Sequence, residues 1–129
     1  MNFKIIILGL TLGLLINTAF AGSISGKITL IKSDKTQAPK GVLYIFARKY
    51  NSKMRMPLAV KRIENPKYPV NFTLSEADAM IKSIPFKGPF QVVARVSPSG
   101  SATDKTGIEV STTSPVELGA KAIKLELKL

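Results

Sequence analysis

The chain has no cysteine, no histidine and no tryptophan. Without cysteine no disulfide can hold it, so its fold must rest on an apolar core. Without histidine and cysteine the usual zinc ligands are missing, and so are the usual bases and thiol nucleophiles of hydrolases. Acidic residues are scarce too: eight Asp and Glu stand against nineteen Lys and Arg. No two carboxylates share a motif suited to acid–base work. Ser97 and Ser99 have no histidine to activate them, and no Ser-x-x-Lys motif is placed on a helix for Ser33 or Ser99. The sequence therefore predicts a non-enzyme, with no catalytic residues and no cofactor.

Long apolar runs are confined to the N-terminus. Lys4 supplies a positive start, Ile5 to Ile16 is almost wholly apolar, and Ala19-Phe20-Ala21 offers the small-x-small pattern of signal-peptidase cleavage. The twelve-residue core falls short of the ~20 residues a spanning helix needs. We expect residues 1–21 to be a cleaved signal peptide and residues 22–129 to be one exported domain, periplasmic in location. Removing the signal takes only Lys4, leaving eighteen basic and eight acidic residues, a net charge of +10.

That surplus bears on partners more than on fold. It favours anionic surfaces, such as acidic proteins, lipid headgroups or envelope polymers. Nucleic acid is not expected, because the chain is exported and carries no Arg-rich run and no aromatic-interleaved stacking motif. Evenly spaced lysines also serve to solvate outer strand faces and protect edges.

What is present is a series of short alternating segments separated by turn residues. Ile24 to Ile31 places Ile24, Gly26, Ile28 and Leu30 on one face. Val42 to Lys49 is apolar on both faces at its centre, as an interior strand would be. Leu58 to Ile63, Val70 to Leu74, Phe90 to Val96 and Ile108 to Ser111 follow. Ala120 to Leu129 closes the chain, with Ile123, Leu125, Leu127 and Leu129 alternating against Lys124, Glu126 and Lys128. Ser75-Glu76-Ala77-Asp78 is a variant capping box, predicting a short helical turn through Met80 or Ile81. Seven strands and one turn predict an all-β, immunoglobulin-like antiparallel β-sandwich, with a small barrel as the competing architecture.

Three groups of residues are candidates for function. Arg48 and Arg95 sit in apolar strands and would anchor a partner's carboxylate or a haem propionate bidentately. The competing expectation pairs them locally, with Glu64, Asp78 or a loop carbonyl. Tyr44, Tyr50, Phe86 and Phe90 would form an exposed aromatic patch, the last two in a mobile Pro85-Phe86-Lys87-Gly88-Pro89-Phe90 loop. Met54 and Met56, with Met80, would offer thioethers to Cu(I). Core filling is the simpler use of Met80.

One resemblance spans nearly all of the mature chain. Ile24-Ser25-Gly26-Lys27-Ile28, then Phe46-Ala47-Arg48, Met56-Pro57-Leu58-Ala59-Val60, Phe72-Thr73-Leu74, Ala94-Arg95-Val96-Ser97 with Ser99-Gly100, and Pro115-Val116 with Gly119-Ala120 follow one another in order. Together they resemble the periplasmic C-terminal Ig-like domain of the cytochrome c-type biogenesis protein H family. The resemblance implies an Ig-like sandwich outside the cytoplasmic membrane, contacting proteins of c-type cytochrome maturation such as apocytochrome c or haem-ligation components. Family members carry membrane helices and tetratricopeptide repeats ahead of this domain, and the repeats are linked with holding apocytochrome. In this chain the expected signal peptide leads directly into the Ig-like segment, so fold and compartment carry over more directly than apocytochrome holding. The leading expectation is a non-enzymatic periplasmic binding module. The alternatives are a methionine-based copper protein and a basic envelope protein that binds anionic surfaces.

Overall fold

The computed structural model describes residues 22–32, 38–53 and 56–129. Seven strands form in chain order: β1 (Ser23–Ile31), β2 (Val42–Lys49), β3 (Ala59–Glu64), β4 (Val70–Ser75), β5 (Phe90–Ser97), β6 (Glu109–Ser111) and β7 (Ile123–Lys128). They assemble into a three-stranded sheet, β4-β1-β7, and a four-stranded sheet, β3-β2-β5-β6. The architecture is an Ig-like β-sandwich, not a closed barrel. One pair runs parallel: β1 lies beside β7, with Gly26 opposite Ile123 and Ile31 opposite Lys128.

The period-2 pattern decides which way each strand faces. On β4, Val70, Phe72 and Leu74 are buried while Asn71 and Thr73 are exposed. On β7, Ile123, Leu125 and Leu127 are buried beneath exposed Lys124, Glu126 and Lys128. These side chains meet Ile24 and Ile28 of β1, Leu43 and Ile45 of β2, and Val92, Ala94 and Val96 of β5 in one core. Each fully buried aliphatic side chain contributes roughly 1.5–3 kcal/mol of transfer free energy. That is how a domain without disulfides holds together.

Gly26 permits a close approach between β1 and β7. A β-carbon at this position would run into the backbone carbonyl of Ile123. No residue with a side chain fits there without moving one strand.

The capping box forms. Ser75 Oγ accepts from Ala77 N at 3.2 Å, and Asp78 Oδ2 accepts from Ser75 N at 2.9 Å. The turn is shorter than the sequence predicts, a single 3₁₀ turn over Glu76–Asp78. Ala79 returns to an extended conformation and bridges Ala59, which stops the helix before Met80.

Candidate functional site

The outer face of the four-stranded sheet carries an unusual amount of aromatic and cationic chemistry. Its register places Arg62, Tyr44, Arg95 and Glu109 in one row across β3, β2, β5 and β6. Val60, Phe46, Val93 and Ser111 form the next row, followed by Arg48 beside Gln91. Phe46 faces away from the core between the sheets, yet it is buried. Two guanidinium groups cover it, Arg95 at 5.1 Å and Arg48 at 5.9 Å from the ring centroid. Both fall within the ~6 Å range of a cation–π contact. Tyr44 is buried in a related way: its hydroxyl donates to Gly100 O at 2.7 Å and accepts from Arg62 Nε at 3.2 Å.

Both predicted anchor arginines lie on this face, and both have partners within the chain. Arg95 Nε donates to Glu109 Oε1 at 2.6 Å, and its side chain is only 11% exposed. Arg48 Nε donates to Gln91 Oε1 at 2.8 Å. The local acceptors differ from those the sequence suggested. Glu64 pairs with Arg62, and Asp78 lies 3.7 Å from Lys61. Glu64 also raises the Arg62 pKa through its hydrogen bond.

The aromatic patch is corrected. Phe86 and Phe90 are buried, and their rings stack at 4.6 Å between centroids. The stretch that carries them does not swing free, because Phe90 N donates to Val116 O at 2.7 Å and Val116 N returns the bond at 2.9 Å. The exchange ties the start of β5 to Val116, so the two rings turn inward. Tyr50 remains partly exposed at the end of β2. Its amide donates to Pro89 O at 3.0 Å, and its hydroxyl reaches Thr113 O at 3.5 Å.

The methionines divide differently from expectation. Met54 lies outside the described residues. Met56 and Met80 are exposed, at 45% and 56%. Core filling by Met80 is therefore overturned: the helical turn ends before it, and its amide donates to Leu58 O at 3.0 Å while its side chain stays in solvent. That bond also brings the residues after the turn against the segment preceding β3. Among the described residues, no three His, Cys, Asp or Glu side chains converge on a metal-holding cluster.

Two depressions open at this end of the sandwich. The first, about 220 Å³, is walled by Met56, Pro57, Leu58, Ile81 and Ile84. The second, about 630 Å³, is open and polar, and Arg48, Lys49, Lys53, Tyr50 and Gln91 line it. Lys49 and Ser52 border both. No carboxylate lines either depression among the described residues. Sequence reasoning found Arg48, Tyr50 and Met56 but not Lys49, Lys53, Ile81 or Ile84. The available signal was Ile81 and Ile84 spaced three apart after a cap, which reads as helix packing until the helix is seen to stop.

The family model of the cytochrome c-type biogenesis protein H Ig-like domain matches residues 24–128. The chain belongs to this family. A cytochrome c-type biogenesis protein CycH from Pseudomonas aeruginosa is 38% identical over 90 residues, covering 64% of this chain and 22% of the relative. The chain thus spans about a fifth of the length of the curated relative it matches. Among solved structures, an alternative pilotin from the type II secretion system of Vibrio cholerae aligns with a TM-score of 0.49 and 15% identity, covering 82% of this chain and 94% of that one. That likeness is too loose to inform the site. The family match takes in every residue named at both depressions and on the arginine-covered face.

Proposed function

We propose that this chain is a non-enzymatic binding module of the periplasm, serving c-type cytochrome biogenesis through contact with another protein. The observation that carries the reading is the extent of the family match, residues 24–128, which takes in nearly all of β1 and the whole of β2 to β7. The composition supports the absence of catalysis, since neither histidine nor cysteine is present to act as base or nucleophile. The first 21 residues read as a cleaved signal, which supports export of a domain spanning residues 22–129. No helix among the described residues is long and apolar enough to cross a membrane. The partner on this reading is an apocytochrome c or a component of haem ligation.

Deletion of the gene, followed by haem staining of the c-type cytochromes, tests the role. Affinity capture from periplasmic extract tests the contact. The reading expects a fall in holocytochrome, restored by the chain expressed in trans, and co-purification of an apocytochrome or haem-ligation protein. Normal holocytochrome levels together with capture of neither partner would overturn it.

A further inference from the structure

The two depressions that share Lys49 and Ser52 combine different chemistries. We propose that together they bind a peptide segment in which one large apolar side chain is flanked by carboxylates. The inference rests on the reading of the chain as a protein-binding module and adds the chemistry of the bound segment.

The apolar pocket sets the anchor. At about 220 Å³ it is smaller than the roughly 300–1,000 Å³ typical of small-molecule sites. Its walls are almost entirely hydrocarbon and thioether, so it suits one aliphatic or aromatic side chain. Six large apolar side chains are exposed among the described residues: Ile31, Met56, Met80, Ile81, Leu118 and Leu129. Two of them, Met56 and Ile81, line this pocket. A methionine at the mouth can adapt to side chains of different shape.

The neighbouring hollow sets the flanks. Arg48, Lys49 and Lys53 line it, with Thr112 and Thr113 opposite and no acidic residue on its walls. Asp78, three residues before Ile81, lies near Lys61, and Glu109, two residues before Ser111, is paired with Arg95. A carboxylate one or two residues from the anchor would therefore enter a cationic environment. Lys49 borders both depressions, as a side chain with an apolar stem and a charged head can. A membrane surface would also meet cations beside apolar residues. An indented pocket of single-side-chain size favours a peptide over a lipid face.

The probes are fluorescein-labelled twelve-residue Gly/Ser peptides carrying one leucine between pairs of glutamates, with counterparts in which serine replaces leucine or glutamine replaces glutamate. Binding is read by anisotropy on the protein as its host produces it. The leucine–glutamate peptide should bind roughly tenfold or more tightly than the serine counterpart, as burial of one large side chain implies, and more tightly than the glutamine counterpart, as the cationic hollow implies. Ile81→Ser should abolish the leucine preference, and Lys49→Glu the glutamate preference. Lys40→Glu, just before the opposite end of β2, should change neither. Thermal melts identify variants that fail to fold, and Lys53→Glu replaces Lys49→Glu if it does. Equal binding of all three peptides overturns the proposal, as does a preference that survives both Ile81→Ser and the lysine variant. Phosphatidylglycerol vesicles that bind in an Ile81-dependent way, without any peptide preference, replace it with a lipid site. The cytochrome role is separable: a peptide preference in a protein whose deletion leaves cytochromes normal keeps the site and removes the role. A cytochrome defect fully complemented by Ile81→Ser keeps the role and removes the site.

Discussion

Arg95 does two things at once: its guanidinium lies 5.1 Å from the centre of the Phe46 ring, and its Nε donates to Glu109 at 2.6 Å. One side chain thereby seals an outward-facing aromatic ring and joins β5 to the short edge strand β6. Arg95→Ala should lower stability by about 1–2 kcal/mol, from the lost cation–π cover and the lost charge-assisted bond. Arg95→Lys should recover only part of this, because an ammonium lacks the planar fork. Urea unfolding midpoints of the two variants check the ranking.

Phe86→Ala should act on the fold. Removing a buried ring stacked on Phe90 at 4.6 Å should cost about 3–5 kcal/mol. Partner capture should fall only in proportion to the unfolded fraction. Chemical denaturation, compared with binding below the midpoint, separates that outcome from direct contact.

Gly26→Ala should be among the most damaging single-methyl changes available. The new β-carbon meets the Ile123 carbonyl within the β1–β7 ladder, so the strands must separate or the chain must shift register. A loss of about 3 kcal/mol, or failure to accumulate folded protein, is expected. Gly22→Ala, where a β-carbon meets nothing, should be neutral in the same thermal melts.

One loop should contribute an acid response. Asp104 accepts from Ser99 N at 3.1 Å, Thr106 N at 3.0 Å and Thr106 Oγ1 at 2.7 Å. These bonds hold its carboxyl well below the usual carboxylate range. An unfolded aspartate titrates near 3.9, so the ionised form favours the folded chain. Its contribution is fully present above about pH 4 and fades as pH falls toward the folded value. Carboxyl carbon shifts should show Asp104 titrating below an unfolded aspartate, and Asp104→Asn should narrow its stability gap from the parent only in that acid range. With no histidine, stability should be flat between about pH 5 and 8. An Asp104 carboxyl titrating near 4 would contradict the lowered value.

The strands were legible where the pattern is local. β2 has the bounds its apolar run suggests, and β7 buries every second residue as its alternation implies. Cross-strand partners were not legible, because they depend on register between distant segments. Arg48 meets Gln91 across 43 residues, and Arg95 finds Glu109 across 14. Phe86 and Phe90 misled for a similar reason. Their prolines and glycine read as a free loop, while the exchange that closes it comes from Val116. Met80 followed a genuine cap, but the bridge from Ala79 to Ala59 ended the helix at one turn. The depressions depend on the same meeting of segments, so neither was visible as a motif.

The parallel pairing of β1 with β7 also has a mechanical side. Because these strands run the same way, Ser23 and Lys128 lie toward opposite ends of the shared ladder. A pulling force applied through these two ends would run along the strands and strain the ladder's hydrogen bonds together in shear. An antiparallel pair joined at one end would open bond by bond like a zipper. Under such a load the ladder would resist as a unit, from the Gly26–Ile123 pair to the Ile31–Lys128 pair.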